Sequence, residues 1–294
     1  MKLLNKKASA FVFTAVAATV VSAYATAKHS VNHIEHVSDE VIAQQRAALA
    51  ANTEGKGFGP QSPRDLGTLE GENNRHFGMQ PGSENMNLCN IHFHKNAEHK
   101  GGEFTTYAGN GDGKGFYTGY KYDGTLTEAQ LRPVAGQVCG AKGHPLQSGD
   151  TLEVHFVYTS AQVTPGPTLG ACLSDSVMNP GLRVEGQVIV LANDENAIDF
   201  ADMAAVGMAN GYHQAVNIPT DTGTPITYWG STTGPSYNEK ASPLHVTWSV
   251  RPEVAVVDIN SVGKWCEDNQ FDEDHAHGVR NLVVNPNLIS DINQ

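Results

Sequence analysis

The chain has 294 residues, of which 39% are hydrophobic, and its formal net charge is −12. This length is enough for one large domain with a substantial core. The acidic excess argues against nucleic acid or an anionic membrane as a partner. After residues 1–25 no segment is apolar for long enough to span a membrane, so we expect no span in the mature protein.

The N-terminus has the features of a cleaved signal peptide. Three lysines precede an apolar run over residues 8–23, and Ala-x-Ala sites begin at Ala23 and Ala25. The run is shorter than the ~20 residues of a membrane span, which favours a signal peptide over an anchor. We therefore predict that residues 1–25 are removed and that the protein is exported, either to the periplasm or out of the cell.

The mature chain is expected to contain an arm and one main domain. Residues 26–58 form the arm, in which Ser38, Asp39 and Glu40 precede an alanine-rich stretch and predict a short capped helix. Residues 59–294 form the main domain. Recurring glycines and prolines in its first part indicate ordered loops, after which strand patterns begin.

Strand patterns dominate the main domain. The clearest combine β-branched, aromatic or alternating residues, and they cover Leu88–Lys95, Thr151–Thr159, Arg183–Ala192 and Leu244–Val250. Helical periodicity is confined to short pieces, Thr127–Leu131 and Asp199–Met208. The glycine-rich run over residues 109–119 is typical of a hairpin end and not of a phosphate loop, because no helical pattern follows it. The sequence therefore predicts a β-dominated α+β fold.

The chain contains four cysteines, and export predicts that they form disulfides. Four cysteines allow three pairings. Of these we expect Cys139 with Cys172 and Cys89 with Cys266. No two of them form a CxxC motif, so a thiolate zinc site is not expected.

Two of the predicted strands present histidines together. Successive side chains of a strand point to opposite faces, so His92 and His94 share one face of the first strand. The same period puts Glu153 and His155 on one face of the second strand. Three neutral imidazoles and one open position are the ligand set of a catalytic zinc ion. The sequence therefore predicts a zinc site at His92, His94 and His155.

Polar residues in register with these histidines support the metal interpretation. Asn90 precedes His92 by two residues and Glu153 precedes His155 by two, so each can accept a hydrogen bond from the ring nitrogen that does not bind the metal. An HxH pair by itself is equally compatible with a surface or hydrogen-bonded pair. We therefore interpret Asn90 and Glu153 as residues that orient the metal ligands.

Several segments, in a fixed order, resemble carbonic anhydrases of the alpha type and still more those of the delta class. These segments are Gln61–Pro63, Asn90–His94, Glu98–His99, Glu153–Val157, Tyr228–Pro235 and His245–Val250. The resemblance implies a single domain around a large central, mainly antiparallel sheet, as in the alpha class. It also implies a zinc-dependent lyase that reversibly hydrates carbon dioxide to bicarbonate and a proton, through attack by a metal-bound hydroxide.

The resemblance also implies two residues that orient the hydroxide. In the family, a threonine hydroxyl accepts a hydrogen bond from the hydroxide and donates one to a buried glutamate, which Glu98 matches. An ungapped alignment of Gly230–Glu239 puts Thr233 at the threonine position, whereas a one-residue gap would put Thr232 there. Thr-Thr-Gly-Pro stands here where the family has Thr-Thr-Pro-Pro, so the two alignments remain open.

Three further residues match positions in the family's substrate pocket and proton path. Val157 matches a valine that lines the carbon dioxide pocket, and Trp248 matches the tryptophan of its floor, although both would also suit a plain core. His76 follows an Asn-rich turn and resembles the family's proton-shuttle histidine, although a loop histidine without a role fits equally well. His275 and His277 are interpreted as part of an acidic, solvated segment.

Two other functions fit parts of the pattern. The spacing of His92, His94 and Glu98 also fits the first cupin motif, in which the glutamate is a third ligand to iron or manganese. A cupin, however, has asparagine four residues after its later histidine, where this chain has Thr159 after His155. A non-catalytic exported metal-binding domain is the other alternative, but such relatives usually lose one or more of the histidines.

Overall fold

Strands form most of the regular structure of residues 35–231 and 238–292, which a computed structural model describes. The strands are β1 Asn87–Lys95, β2 Thr106–Tyr107, β3 Tyr120–Lys121, β4 Thr151–Thr159, β5 Leu182–Ala192, β6 Val206–Ala209, β7 Tyr212–Ala215, β8 Ile226–Ser231, β9 His245–Val250 and β10 Ala255–Asp258. The α-helices are α1 Asp39–Thr53, α2 Phe200–Met203 and α3 Ile259–Glu267. Short 3-10 helices cover Ser83–Asn85, Leu169–Cys172 and Pro286–Leu288. The prediction of a β-dominated α+β fold is confirmed.

One mixed sheet of six strands forms the centre of the domain. Its order is β1-β4-β5-β9-β8, and β10 also pairs with β5. The pairs β1–β4, β4–β5 and β8–β9 are antiparallel, whereas β9 and β10 run parallel to β5. The large central, mainly antiparallel sheet is therefore confirmed. Its two histidine-bearing strands, β1 and β4, are direct neighbours.

The sheet separates two hydrophobic cores. Alternate residues of β4, such as Val154 and Phe156, join one core together with Trp265 of α3. Val157, on the opposite face of β4, joins a second core together with Trp248 of β9. Because β4 is buried along its whole length, the polar residues Glu153 and His155 are enclosed on this second face. The period-two pattern of the strand therefore places a polar site inside the domain.

The two predicted helices of the main domain differ from the structure. Thr127–Leu131 forms only turns. Asp199–Met208 divides into α2 and the start of the β6–β7 hairpin. Asn210 and Gly211 both have positive φ, at 53° and 84°, which is the conformation that a two-residue hairpin turn requires. The Asn-Gly turn, and not the helical spacing before it, decides the structure of this segment.

The predicted disulfide pairing is wrong. The structure joins Cys89 to Cys172 and Cys139 to Cys266, with Cα–Cα distances of 4.9 and 5.6 Å. Cys89 and Cys172 belong to one hydrophobic core, whereas Cys139 and Cys266 pack in the other. Because the sheet lies between the two cores, pairing Cys139 with Cys172 would require a connection through it.

The N-terminal arm contains the helix that the sequence predicts. This helix, α1, begins after Ser38, whose side chain makes no capping hydrogen bond. Leu49 and Ala50 of the helix pack against a small apolar cluster near the C-terminus. The predicted signal peptide, residues 1–25, lies outside the described residues. In the part of the chain that the structure describes, no helix has both the length and the apolar character needed to span a bilayer.

Candidate metal centre

The antiparallel register of β1 and β4 brings three histidines together. His92 lies directly opposite His155, and His94 lies opposite Glu153. One ring nitrogen from each of His92, His94 and His155 is within 4.8 Å of the other two. The predicted ligand residues are therefore presented from paired neighbouring strands, at one point on the inner face of the sheet.

The second ring nitrogen of each histidine has its own hydrogen-bond acceptor. His92 Nδ1 is 2.6 Å from Asn90 Oδ1, while the amide nitrogen of Asn90 donates to the carbonyl of Gly166. His94 Nδ1 donates to the carbonyl of Gly278 at 2.9 Å, and His155 Nε2 donates to Glu153 Oε1 at 3.0 Å. These partners fix the tautomers, so Nε2 of His92, Nε2 of His94 and Nδ1 of His155 carry lone pairs.

Two of these lone pairs face each other, which is the arrangement that a bound cation stabilises. His155 Nδ1 and His92 Nε2 are 3.3 Å apart, and neither carries a proton to share. Tetrahedral zinc with bonds of about 2.0–2.1 Å separates its ligand atoms by about 3.3 Å. The nitrogen donors, their number and their spacing therefore fit zinc.

Electrostatics also keep the histidine rings neutral. Burial, together with the neighbouring imidazoles of His155 and His94, holds the pKa of His92 well below its ordinary value. Burial lowers the pKa of His94 to about 4, although the Glu98 carboxylate opposes this shift. A metal ion binds only the neutral imidazole. Both rings are therefore ready to bind a metal at neutral pH without first losing a proton.

Glu153 is a fully buried carboxylate that connects the site to the rest of the core. Besides His155, its oxygens accept hydrogen bonds from the backbone amide of Glu98 at 2.7 Å, from that of His99 at 3.1 Å and from His99 Nδ1 at 2.7 Å. Burial raises the pKa of Glu153, but His99 and the hydrogen bonds outweigh it and hold the pKa well below its usual value. Ring nitrogens of His99 and His155 and an oxygen of Glu153 also lie within 4.8 Å of one another. Because these atoms hydrogen-bond to each other, this second group does not offer three free ligand atoms for a metal ion.

Glu98 lies beside the three histidines without belonging to their cluster. Its buried carboxylate accepts a hydrogen bond from the backbone amide of Arg280 at 3.1 Å, and the same oxygen is 3.7 Å from His94 Nδ1. Burial raises the pKa of Glu98, but the nearby His94 and Arg280 outweigh it and lower the pKa overall. A cupin site would require this glutamate as a ligand, so the geometry gives the cupin alternative no support.

A small cavity opens next to the histidines. Its volume is about 30 Å³, which is room for roughly two water molecules. Apart from Glu98 and the three histidines, its lining is apolar and consists of Val157, Leu169, Leu182, Val184, Val246 and Trp248. Val157 and Trp248 line the cavity that holds the histidines, and their role in binding carbon dioxide stays a prediction.

The C-terminal segment around residues 275–280 contributes residues to the site that sequence reasoning missed. It pairs with β1 beside His94, where the backbones of Phe93, Lys95 and His277 exchange hydrogen bonds. This pairing brings the carbonyl of Gly278 to His94 and the amide of Arg280 to Glu98. No local motif marks such backbone groups, because any residue type carries them.

The side chain of His277 is 41% exposed, as a solvated segment implies, but it also lies beside the histidine cluster, which sequence reasoning missed. Its ring centroid lies 5.7 Å from that of His92, and its Nε2 donates to Glu273 at 2.8 Å. Glu273 is buried. Burial lowers the pKa of His277, but the hydrogen bond and charge of Glu273 raise it above the ordinary value overall.

Of the remaining predicted functional residues, His76 lies away from the histidines and the threonine falls outside the described residues. His76 is exposed and lines a separate cavity of about 90 Å³ together with Phe77 and Trp229. Thr233 and the alternative Thr232 fall within residues 232–237, outside the described part of the chain. The roles assigned to His76 and Thr233 therefore stay predictions.

Solved structures of carbonic anhydrases show a distant likeness to the chain. A hyperthermostable carbonic anhydrase identified from an active hydrothermal vent chimney is 13% identical with a TM-score of 0.28, over 76% of this chain and 82% of that one. The Photobacterium profundum alpha-carbonic anhydrase is 13% identical with a TM-score of 0.25, over 85% and 96%. A halotolerant carbonic anhydrase from Dunaliella salina is 14% identical with a TM-score of 0.32, over 85% and 93%. These TM-scores are too low to establish a shared fold, so the predicted likeness to the alpha-class fold stays a prediction.

Comparison with protein families gives a direct assignment. A search of curated protein sequences finds no significant match. The family model described as Delta carbonic anhydrase, in contrast, matches residues 83–261, which is more than half of the chain. The matched region contains β1, β4, the three histidines, Glu98 and Glu153. The chain therefore belongs to the delta carbonic anhydrase family.

Proposed function

We propose that the protein reversibly hydrates carbon dioxide to bicarbonate and a proton, with zinc held by His92, His94 and His155. The observation that carries the proposal is the 3.3 Å distance between His92 Nε2 and His155 Nδ1, on two rings whose other nitrogens donate to Asn90 and Glu153. Family membership supplies the reaction, and the three convergent nitrogens supply a site for the metal that the reaction needs.

The residues around the site have separate tasks in this proposal. When bound, zinc lowers the pKa of water to about 7 and so makes a nucleophile available at neutral pH. Asn90, Glu153 and the carbonyl of Gly278 hold the three imidazoles in the required orientation and tautomer. Glu98 remains charged and accepts hydrogen bonds, which suits it to orient a hydroxyl group between itself and the nucleophile.

The apolar wall of the cavity supports carbon dioxide as the substrate. The side chains of Val157 and Val184 have no group that could hydrogen-bond to a ligand, and the space of about 30 Å³ suits a very small molecule. Carbon dioxide is small and uncharged and gains from contact with such a wall, whereas bicarbonate is charged and prefers water. The wall therefore favours entry of the substrate and release of the product.

A hydration assay with and without bound metal tests the proposal. Purified protein is expected to retain about one zinc ion per chain and to accelerate hydration of carbon dioxide. Chelation should remove metal and activity together, and added zinc should restore both. Zinc-loaded protein that leaves the hydration rate at its uncatalysed value would contradict the proposal and favour the non-catalytic metal-binding alternative.

The threonine that orients the nucleophile gives a second test. Thr233→Ala is expected to leave zinc bound, because every predicted ligand remains, and to slow hydration by roughly 10²-fold through loss of positioning. The matched control is Thr232→Ala, which should have little effect. Rates for both variants are compared at equal zinc content. Damage from Thr232→Ala alone would favour the gapped alignment, and two silent variants would exclude the relay between the nucleophile, threonine and Glu98.

Export of the protein is part of the same proposal. The two disulfides support it, because such bonds form and persist in oxidising compartments. Residues 1–25 carry the predicted signal for export. A zinc enzyme in that compartment would exchange carbon dioxide and bicarbonate outside the cytoplasm.

A further inference from the structure

Gln45 of helix α1 uses its side-chain amide to join three separate parts of the chain. Its Nε2 donates to the carbonyl of Gly113 at 2.8 Å. Its Oε1 accepts hydrogen bonds from the amide nitrogens of Asn281, at 2.7 Å, and of Asn238, at 3.5 Å. These partners are 68, 236 and 193 residues away in the sequence, so the contacts exist only because the arm docks on the main domain.

From Asn281 the contacts continue to the metal centre within one residue. The backbone amide of Asn281 donates to Asn238 Oδ1 at 2.6 Å, so Gln45 and Asn238 together hold both the side chain and the backbone of Asn281. The preceding residue is Arg280, whose backbone amide donates to Glu98 Oε1 at 3.1 Å. The backbone amide of Arg280 therefore points to the Glu98 carboxylate, and the next amide, that of Asn281, points to Asn238, which contacts Gln45.

The hydrogen bonds of Gln45 distinguish it from its exposed neighbour. Of the fifteen residues of α1, Ile42 and Thr53 are buried, seven are exposed and the other six, including Gln45, are half-buried. Gln45 is half-buried, whereas its neighbour Gln44 is exposed. A polar side chain turned inward with both ends of its amide bonded is a costly choice for packing alone, because apolar residues would serve that purpose without the need for exact partners.

We infer that Gln45 is a positioning residue for the active site, which fixes segment 280–281 and through it the Glu98 carboxylate. This inference rests on the proposed function, in which Glu98 orients the hydroxyl group beside the nucleophile. Loss of the Gln45 amide removes the acceptor of Asn281 Nδ2 and the anchor to Gly113. The Arg280 amide then has more freedom to move away from Glu98, and small displacements of a catalytic group reduce the rate.

The test uses three variants that keep the length of the side chain. Gln45→Met preserves the shape and the helix propensity but removes every hydrogen bond. Gln45→Glu keeps an oxygen that accepts from Asn281, but it loses the donor to Gly113 and puts a carboxylate oxygen against that carbonyl. Gln44→Met makes the same change at the exposed neighbour and serves as the matched control. Zinc content and thermal unfolding of each variant are measured first, so that rates refer to folded, zinc-loaded protein.

Gln45→Met is expected to lower kcat/KM for hydration about 3-fold to 10-fold, in the range typical of residues that act through another group. Gln45→Glu should recover part of this loss, because it keeps the acceptor of Asn281, and Gln44→Met should stay within about 2-fold of the wild type. Backbone amide exchange at Asn281, a readout independent of activity, should speed up in Gln45→Met only. Unchanged kcat/KM or unchanged exchange at Asn281 in Gln45→Met would overturn the inference while leaving the proposed function intact. A zinc-loaded wild type without hydration activity would instead overturn the proposed function and this inference together.

Discussion

His94→Ala is expected to abolish both zinc retention and hydration of carbon dioxide. The three imidazole nitrogens are the minimum protein ligand set of a catalytic zinc site, and the variant leaves only those of His92 and His155. Without the metal, no group in the cavity makes a nucleophile available at neutral pH. After dialysis, metal analysis should find zinc near background, and the hydration rate should equal that of buffer.

His277→Ala is the control for this result. It removes an imidazole from the same neighbourhood, with its ring centroid 5.8 Å from that of His94, but His277 is not in the cluster of convergent nitrogens. Zinc retention should therefore match that of the wild type. Zinc loss in His277→Ala, or zinc-dependent activity in His94→Ala, would mean that the ligand set is assigned incorrectly.

Glu153→Leu should have the largest effect on stability among the changes considered. It removes a fully buried carboxylate that accepts four hydrogen bonds, from the amides of Glu98 and His99 and from the rings of His99 and His155. Removal of one partner from such a buried group leaves the others unpaired, at a cost of about 3–5 kcal/mol in the free energy of unfolding. Zinc affinity should also fall, by about 10-fold to 100-fold, because His155 loses its orienting partner.

The same substitution at Glu185 shows how much of the loss in stability comes from the buried hydrogen bonds of Glu153 and how much follows from removing any carboxylate. Glu185 lies on the neighbouring strand β5 and forms a partly exposed ion pair with Arg183 at 2.6 Å. Glu185→Leu is expected to change the free energy of unfolding by no more than about 1 kcal/mol. Denaturant unfolding of both variants in the metal-free form measures the difference. Similar losses at both positions would show that the hydrogen bonds of Glu153 have no special contribution.

The strand pattern carried most of the information about the metal centre. An alternation of two residues is a local property, so it placed His92 and His94 on one face and gave each of His92 and His155 its orienting partner before any fold was known. The pattern did not contain the register between β1 and β4, which depends on the whole sheet. The resemblance to known carbonic anhydrases supplied that missing arrangement.

Other parts of the site and the fold depend on long-range packing that leaves no local signal. The carbonyl of Gly278 reaches His94 across 184 residues, and the chemistry of a backbone carbonyl is the same at every position. The disulfide pairing depends on which hydrophobic core receives each cysteine, and spacing along the chain does not reveal it. The position of His277 beside the cluster was missed because its acidic neighbours are typical of a solvated segment, whereas its backbone pairs with β1.

The location of all three histidines on two paired strands bears on the order of assembly. Residue pairs from Ile91 with Phe156 to Lys95 with Leu152 join β1 to β4 around the histidines, and a strand ladder is held by backbone hydrogen bonds. In zinc fingers, by contrast, the free energy of metal binding is the free energy of folding. Here the interactions of the sheet offset the conformational entropy that the chain loses on folding. We therefore expect the ligand residues to be in position before a metal binds. Under the proposed function, zinc would therefore be loaded into an already folded chain, and the metal-free protein is expected to keep its sheet.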